Sequence, residues 1–147
     1  MEKIADKSKE LNTSIVLVND KLQFKGTVDN NDPISIDYVP PLGDNLGYTS
    51  LELLLLSLSS CIGSSILTLL RKKRKNIEGL EMHCKGIRKS EHPTCFETIF
   101  VKINLKSPDS TEEDLEKIMK LSEATYCPVW AMIKGNVEIV VSYHIIS

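Results

Sequence analysis

The 147-residue sequence has little that points to nucleic-acid binding or export. Its net charge at pH 7 is only -2, which gives no reason to expect a nucleic-acid partner. The first ten residues, MEKIADKSKE, have no apolar core, so no secretory signal is predicted. We therefore expect a cytoplasmic protein whose four cysteines do not form structural disulfides, because such bonds are unusual in a reducing compartment.

The cysteines also lack the spacing of a metal site, since the sequence contains no C-x-x-C motif. A zinc site could be assembled from His83, Cys84, His92 and Cys95. However, neighbouring residues of a strand point to opposite faces, which separates His83 from Cys84. We therefore expect no bound metal, and we interpret Cys84 and Cys95 as structural residues.

Alternating apolar and polar residues predict six strands, and two capping patterns and one proline predict three helices. The predicted strands are residues 14–18, 21–28, 33–39, 77–89, 96–106 and 136–146, with a tight turn at Asn19-Asp20. The predicted helices run from the Thr49–Glu52 capping box to Lys75, from the Ser110–Glu113 box to Glu123, and from Pro128 to Gly135. The order βββ-α-ββ-α-α-β, without repeat or linker, predicts a single α+β domain over residues 1–147 with a mostly antiparallel sheet.

The first predicted helix is apolar nearly all the way round. Its segment Leu51–Leu70 is long enough to cross a bilayer, but it contains Glu52 and six hydroxyl side chains and has amphipathic strands on both sides. We therefore expect a central soluble helix and no membrane span. The basic run Arg71–Lys75 is interpreted as its solvated C-terminus. Because such a helix must be covered on all sides, an intertwined homodimer is expected.

Two cysteines, Cys61 and Cys127, occupy unusual positions. Cys61 lies in the middle of the first helix, on a stripe of hydroxyl side chains that includes Ser64, Ser65 and Thr68. This stripe either holds a polar group of a substrate or allows close helix packing. Cys127 precedes Pro128 and falls at a helix N-cap, where N–H groups and the helix dipole lower the pKa of a thiol. The alternative is a buried cap residue without chemistry.

Three segments together resemble the OsmC/Ohr superfamily, which includes the organic hydroperoxide reductases. They are GYTSLELLLLSLSSCIGSSI around Cys61, GIRKSEHPTCFETI in the predicted hairpin, and SEATYCPVW around Cys127. The resemblance covers nearly the whole chain in element order. It implies an OsmC-like fold, in which sheets wrap long central helices in an intertwined dimer with active sites at the subunit interface.

The resemblance also implies a two-cysteine peroxidase without a cofactor. Cys61 would attack the peroxide and become a sulfenic acid, Cys127 would condense with it to a disulfide, and a dithiol would reduce that disulfide. Glu52 matches an activating glutamate of the family, but it lies nine residues before Cys61, one fewer than in the peroxidases, and it can also serve the capping box. The family's activating arginine has no counterpart before Arg71, although Lys21 or Lys25 could replace its charge.

Two other functions remain open at this point. The chain could bind a small apolar ligand in an interface pocket without peroxidase activity, with both cysteines merely buried. Another thiol reaction, such as thioester cleavage, has less support, because His83, His92 and His144 fall in no recognisable Cys/His motif.

Overall fold

The computed structural model of the chain describes residues 6–147. The contacts between residues divide the chain into two compact units, one ending at Leu53 and the other running from Leu54 to Ser147. Each unit contains a three-stranded sheet. The predicted α+β class and the order of its strands and helices are confirmed. The single-domain organisation over residues 1–147 remains a prediction.

The N-terminal sheet consists of β1 (Ser14–Leu17), β2 (Phe24–Thr27) and β3 (Ile34–Ile36), paired antiparallel in that order. The predicted tight turn between β1 and β2 is wrong, because Leu17 pairs with Phe24 and residues 18–23 form the connection. The side chain of Asn19 organises this longer loop, since its Oδ1 accepts the N–H of residues 21 and 23 at 3.0 and 3.1 Å.

A buried carboxylate holds the loop that follows β3. Asp37 is fully buried and accepts backbone N–H groups from Tyr38, Asp44 and Leu46 at 2.7, 3.2 and 3.1 Å. Burial opposes its ionisation, but the three donors outweigh that effect and lower the pKa of the carboxyl. A side chain at Gly43 would collide with this carboxylate, so the loop requires glycine there. These hydrogen bonds stabilise the conformation of the loop that connects β3 to the first helix.

Helix α1 (Ser50–Lys72) begins at the predicted capping box. The Thr49 hydroxyl accepts the N–H of Glu52 at 3.3 Å, and the Glu52 carboxylate accepts the N–H of Thr49 at 2.9 Å. The helix ends three residues earlier than the predicted Lys75. The reason is Arg74, which adopts a left-handed conformation with φ 59° and closes the helix.

The C-terminal sheet consists of β4 (Gly79–Arg88), β5 (Phe96–Lys106) and β6 (Glu138–Ile146). β4 pairs antiparallel with β5, and β6 pairs parallel with β5. The predicted inward face of β5 is confirmed by four side chains that are at most 1% exposed: Ile99, Val101, Ile103 and Leu105. Phe96, at the start of β5, fills the space over Gly86, where any side chain would meet its ring.

One face of α1 forms part of the same core. Four of its apolar side chains are completely buried: Leu58, Ile62, Ile66 and Leu70. A Cβ atom added to Gly63 would lie 3.2 Å from the sulfur of Met82, so glycine allows the helix to lie close to β4. By length and composition α1 could also cross a membrane. The complete burial of four apolar side chains on one face of α1 is instead what we expect of a helix that packs in a protein core.

The polypeptide between β5 and β6 forms α2 (Glu112–Leu121), a π-helix (Ser122–Tyr126) and α3 (Pro128–Ile133). The predicted Ser110–Glu113 capping box is wrong by one residue, since Thr111 and Asp114 exchange the two capping hydrogen bonds at 2.9 and 3.1 Å. Asp114 also pairs with Lys73 and Lys75, which follow directly after α1, and these ion pairs favour this register. The π-helix replaces the predicted end of α2.

Candidate active site

Cys61 lines an open pocket of about 340 Å³. The cysteine is half-buried and lies on the face of α1 that carries the hydroxyl stripe. The other lining residues are Ser64, Ser65, Thr68, Leu69, Lys72, Tyr126 and Pro128. The stripe therefore faces an open space, as the substrate-binding interpretation of the sequence requires. The small residues that bring α1 close to β4 lie elsewhere on the helix, at Ser59 and Gly63.

Cys127 occupies the predicted N-cap of α3. Its backbone is extended, with φ -99° and ψ 99°, as the following Pro128 favours. Its sulfur accepts the N–H of Trp130 at 3.4 Å. The residue is only 2% exposed, so the cap lies in the interior of the C-terminal unit.

The acidity expected for Cys127 from the cap alone is wrong. Burial, and to a smaller extent the neighbouring Cys61 side chain, raise the pKa of this thiol from its ordinary value of 9.0 to about 11. The N–H groups of Trp130 and Val129 act in the opposite direction but do not compensate. Cys127 is therefore a protonated thiol at neutral pH, because loss of contact with water outweighs the favourable end of a short helix.

The structure thus brings Cys61 and Cys127 together, although they are far apart in the sequence. Glu52, the third predicted site residue, is engaged at the start of α1. Its Oε1 accepts both the N–H and the hydroxyl of Thr49 at 2.9 Å, and these hydrogen bonds lower the pKa of the carboxyl. Of the two lysines considered as activating cations, Lys21 forms an ion pair with Asp44 at 2.7 Å.

The other two cysteines have different surroundings. Cys84 is half-buried, as expected, and its sulfur lies 2.8 Å from the hydroxyl of Ser59. The same hydroxyl also donates to the carbonyl of Leu55 at 2.7 Å, and either the sulfur or the hydroxyl can be the donor in the contact between Cys84 and Ser59. Burial raises its pKa, although Ser59 acts against this. Cys95 is exposed, so the interpretation of it as a buried structural residue is wrong.

The residues considered for zinc do not converge in the part of the chain that the structure describes. His83 is exposed on β4 and its Nε2 lies 3.0 Å from a carboxylate oxygen of Glu81, while Cys84 lies on the other face of the strand. Within residues 6–147 no group of three or more potential metal ligands is found.

The sequence predicts both cysteines and the hydroxyl stripe as parts of the site, but not Lys72 and Tyr126, which also line the pocket. Tyr126 is adjacent to Cys127 and lines the pocket from the π-helix. A π-helix has no sequence signature comparable to a capping box, so its side chains could not be placed in advance. Lys72 was hidden within a basic run that is typical of a solvated helix end.

Comparisons with known proteins agree with this fold. The family described as OsmC-like protein matches residues 43–142. Protein YhfA of Escherichia coli (strain K12) is 24% identical over 97 residues, which cover 66% of this chain and 72% of YhfA. The crystal structure of a hypothetical protein from Aquifex aeolicus VF5 superposes with a TM-score of 0.81 at 28% identity, covering 93% of this chain and 96% of that one.

An organic hydroperoxide resistance protein OsmC from Legionella pneumophila, described as a predicted redox protein, superposes with a TM-score of 0.68 at 14% identity. The match covers 94% of this chain and 98% of the Legionella chain, and at this identity it shows a shared fold. The predicted resemblance is confirmed over most of the sequence. The chain belongs to the OsmC-like protein family.

Proposed function

We propose that the protein is a thiol-dependent peroxidase that reduces organic hydroperoxides with Cys61 and Cys127. The observation that carries this proposal is the meeting of these two cysteines, one in an open pocket and the other buried beside it. The family supports a redox-related role, and the Legionella relative is an organic hydroperoxide resistance protein.

Cys61 is the proposed attacking residue because it lines the pocket from which a peroxide would approach. Its thiolate sulfur attacks one peroxide oxygen and the O–O bond breaks. The sulfur becomes a sulfenic acid, and the alkoxide leaves and takes up a proton to form an alcohol. The leucine and hydroxyl side chains of the lining would accept an organic group that carries a polar end.

Cys127 is the proposed resolving residue. Its raised pKa keeps it protonated at neutral pH, so it would not compete with Cys61 for the peroxide. Its sulfur attacks the sulfenic acid, an S–S bond forms, and the thiol proton leaves with the hydroxyl group as water. An external dithiol then restores both thiols by two exchange steps and is itself oxidised to a disulfide.

Glu52 is proposed to act through the start of α1 rather than on the peroxide. Both hydrogen bonds of its Oε1 go to Thr49, which gives the carboxylate a structural role. This assignment follows the second of the two roles that the sequence left open for Glu52.

The protein is further proposed to act as a cytoplasmic homodimer. Within each unit, large apolar side chains are exposed in the single chain: Ile15 by 60%, Val16 by 62% and Leu56 by 52%. A second copy covering such residues would remove apolar surface from water. Sedimentation of the purified protein tests the dimer, and a monomer at micromolar concentration would contradict it.

Intact mass tests the chemistry. After one equivalent of cumene hydroperoxide, the reduced protein should lose two hydrogens, whereas Cys127→Ser should retain one added oxygen. The matched control is Cys84→Ser, which removes another half-buried thiol and should behave like the unchanged protein. Loss of two hydrogens in Cys127→Ser would show that a different thiol resolves the intermediate.

Turnover with a dithiol provides the second test. Cys61→Ser should abolish consumption of cumene hydroperoxide, and the unchanged protein should prefer this substrate to hydrogen peroxide. Normal turnover in Cys61→Ser would end the proposal. No consumption by the unchanged protein would leave the pocket with a binding function only.

A further inference from the structure

Ser122 carries a buried hydroxyl group that has no partner. The residue is completely buried, and its Oγ forms no hydrogen bond with any atom of residues 6–147. A buried hydroxyl group without a partner destabilises a folded protein, and such groups are rare in native structures. Because Ser122 is 0% exposed in the single chain, a second copy of the protein does not reach it either. The hydroxyl group therefore does not stabilise the reduced fold.

The surrounding helix does not use this hydroxyl group, although helices commonly do. A serine inside a helix often donates to the carbonyl one turn earlier. In α1 the hydroxyl groups of Ser64 and Ser65 do so, at 2.8 and 3.4 Å. The carbonyls one turn before Ser122, those of Ile118 and Met119, accept its backbone N–H but not its hydroxyl. The hydroxyl proton of Ser122 is therefore available to another acceptor.

The turn that starts at Ser122 brings this residue next to Cys127. The N–H of Cys127 donates to the carbonyl of Ser122 at 2.9 Å and closes one π-helical turn. Ser122 is 0% and Cys127 2% exposed, whereas Ala124, Thr125 and Tyr126 between them are exposed. Ser122 and Cys127 therefore share the inner side of this turn as neighbours along its axis.

Cys127 needs a hydrogen-bond donor when it reacts. In the resolving step its sulfur gives up a proton and develops negative charge in the protein interior, away from water. The N–H groups of Trp130 and Val129 interact with this sulfur but leave it protonated at neutral pH. A charged acceptor forms a stronger hydrogen bond than a neutral one. A free hydroxyl group one turn away therefore gains a partner at the moment when the sulfur becomes charged.

We propose that the Ser122 hydroxyl donates a hydrogen bond to the Cys127 sulfur while this sulfur attacks the sulfenic acid of Cys61. The proposal rests on the two-cysteine function proposed above. The S–S bond forms, the S–O bond breaks, and the proton of the Cys127 thiol leaves with the hydroxide as water. Ser122 keeps its own proton. It acts in this second step and takes no part in the cleavage of the O–O bond.

Mass spectrometry of quenched reactions measures the two steps separately. After mixing with cumene hydroperoxide, the sulfenic acid appears as one added oxygen and the disulfide as a loss of two hydrogens. Ser122→Ala should convert the sulfenic acid to the disulfide about tenfold more slowly, as expected for loss of a hydrogen bond to a charged group. It should form the sulfenic acid at the unchanged rate. In excess peroxide it should accumulate more sulfinic acid, because the sulfenic acid persists longer.

Two further variants distinguish this role from a structural one. Ser122→Thr keeps a hydroxyl group and should restore most of the rate of disulfide formation. The matched control is Ser107→Ala, which removes a buried hydroxyl that donates to the carbonyl of Asn76 at 2.5 Å. This control should lower the urea midpoint and leave both rates unchanged, whereas Ser122→Ala should keep the midpoint. Disulfide formation at the unchanged rate in Ser122→Ala, or equal slowing in Ser107→Ala, would overturn the assignment.

Oxidation with diamide separates this proposal from the peroxidase function. Diamide is not a peroxide: it adds to one thiol, and a second thiol then displaces it as a hydrazine and forms the disulfide. Cys61 lies in the open pocket and reacts first, so the buried Cys127 again attacks the Cys61 sulfur. If Ser122→Ala slows this reaction about tenfold but no peroxide is consumed, the Ser122 assignment stands and the peroxidase function falls. If peroxide is consumed and both proteins form the disulfide at equal rates, only the Ser122 assignment falls.

Discussion

Raising the pH above 9 is expected to destabilise the protein through Cys127. The buried thiol keeps its proton up to a pKa of about 11, whereas the same thiol in an unfolded chain loses it near 9.0. Between these values the folded state binds more protons, so the free energy of unfolding falls as the pH rises. Each pKa unit corresponds to about 1.4 kcal/mol, so the loss reaches up to about 3 kcal/mol above pH 11.

Urea unfolding of the reduced protein at about pH 8 and about pH 10.5 measures this loss. The matched control is Cys127→Ser, because serine keeps an acceptor for the N–H of Trp130 and does not titrate in this range. Subtracting the two pH dependences removes contributions of lysine and tyrosine side chains. The unchanged protein should lose about 2 kcal/mol more than the variant. Equal pH dependences would refute the assignment of a buried, protonated thiol at this position.

Three further substitutions test contacts described above. Glu52→Gln should keep the cap of α1 and leave peroxidase turnover near normal. Glu52→Ala should lower the free energy of unfolding, measured by chemical denaturation, by about 1 kcal/mol. A large loss of turnover in Glu52→Gln would instead give this carboxylate a catalytic role. The lowered pKa of Asp114, about 2, stabilises the folded protein above pH 4, and this stabilisation is lost as the pH falls toward 2. Asp114→Asn should therefore lower the free energy of unfolding at neutral pH by about 1–2 kcal/mol and reduce its dependence on acid pH. Identical acid-unfolding curves for the two proteins would contradict this expectation. Gly86→Ala should lower the melting temperature, at a cost of about 1–3 kcal/mol, because the new methyl group meets the ring of Phe96, and an unchanged melting temperature would show that the ring can move freely.

The sequence predicted the strands and helices best where one periodic pattern is long. β5 alternates apolar and polar residues over nearly its whole length, and its inward side chains are buried as expected. The capping box of α1 was also recognisable, because threonine and glutamate at the right spacing satisfy each other locally. At α2 the capping box was predicted one residue too early, because the pattern at Ser110 and Glu113 does not contain the ion pair between Asp114 and Lys73 that favours the box at Thr111.

The candidate site was only partly predictable. The positions of Cys61 on a hydroxyl stripe and of Cys127 at a helix cap follow from local spacing. The pKa of Cys127 depends on burial by residues distant in the sequence, which a local pattern does not contain. The loop at Asn19 likewise depends on side-chain hydrogen bonds whose geometry the sequence does not specify.

The π-helix just before Cys127 contains one more residue per turn than an α-helix would. Its last hydrogen bond runs from the N–H of Cys127 to the carbonyl of Ser122 at 2.9 Å, across one more residue than an α-helical turn contains. The hydroxyl of Ser122 is buried and, within residues 6–147, makes no hydrogen bond that would anchor this turn. If this turn changed from a π-helical to an α-helical conformation, one residue would be freed next to Cys127, while α3 would still begin at Pro128. The extra residue of the π-helix would therefore allow Cys127 to shift when a disulfide forms, without unfolding α3.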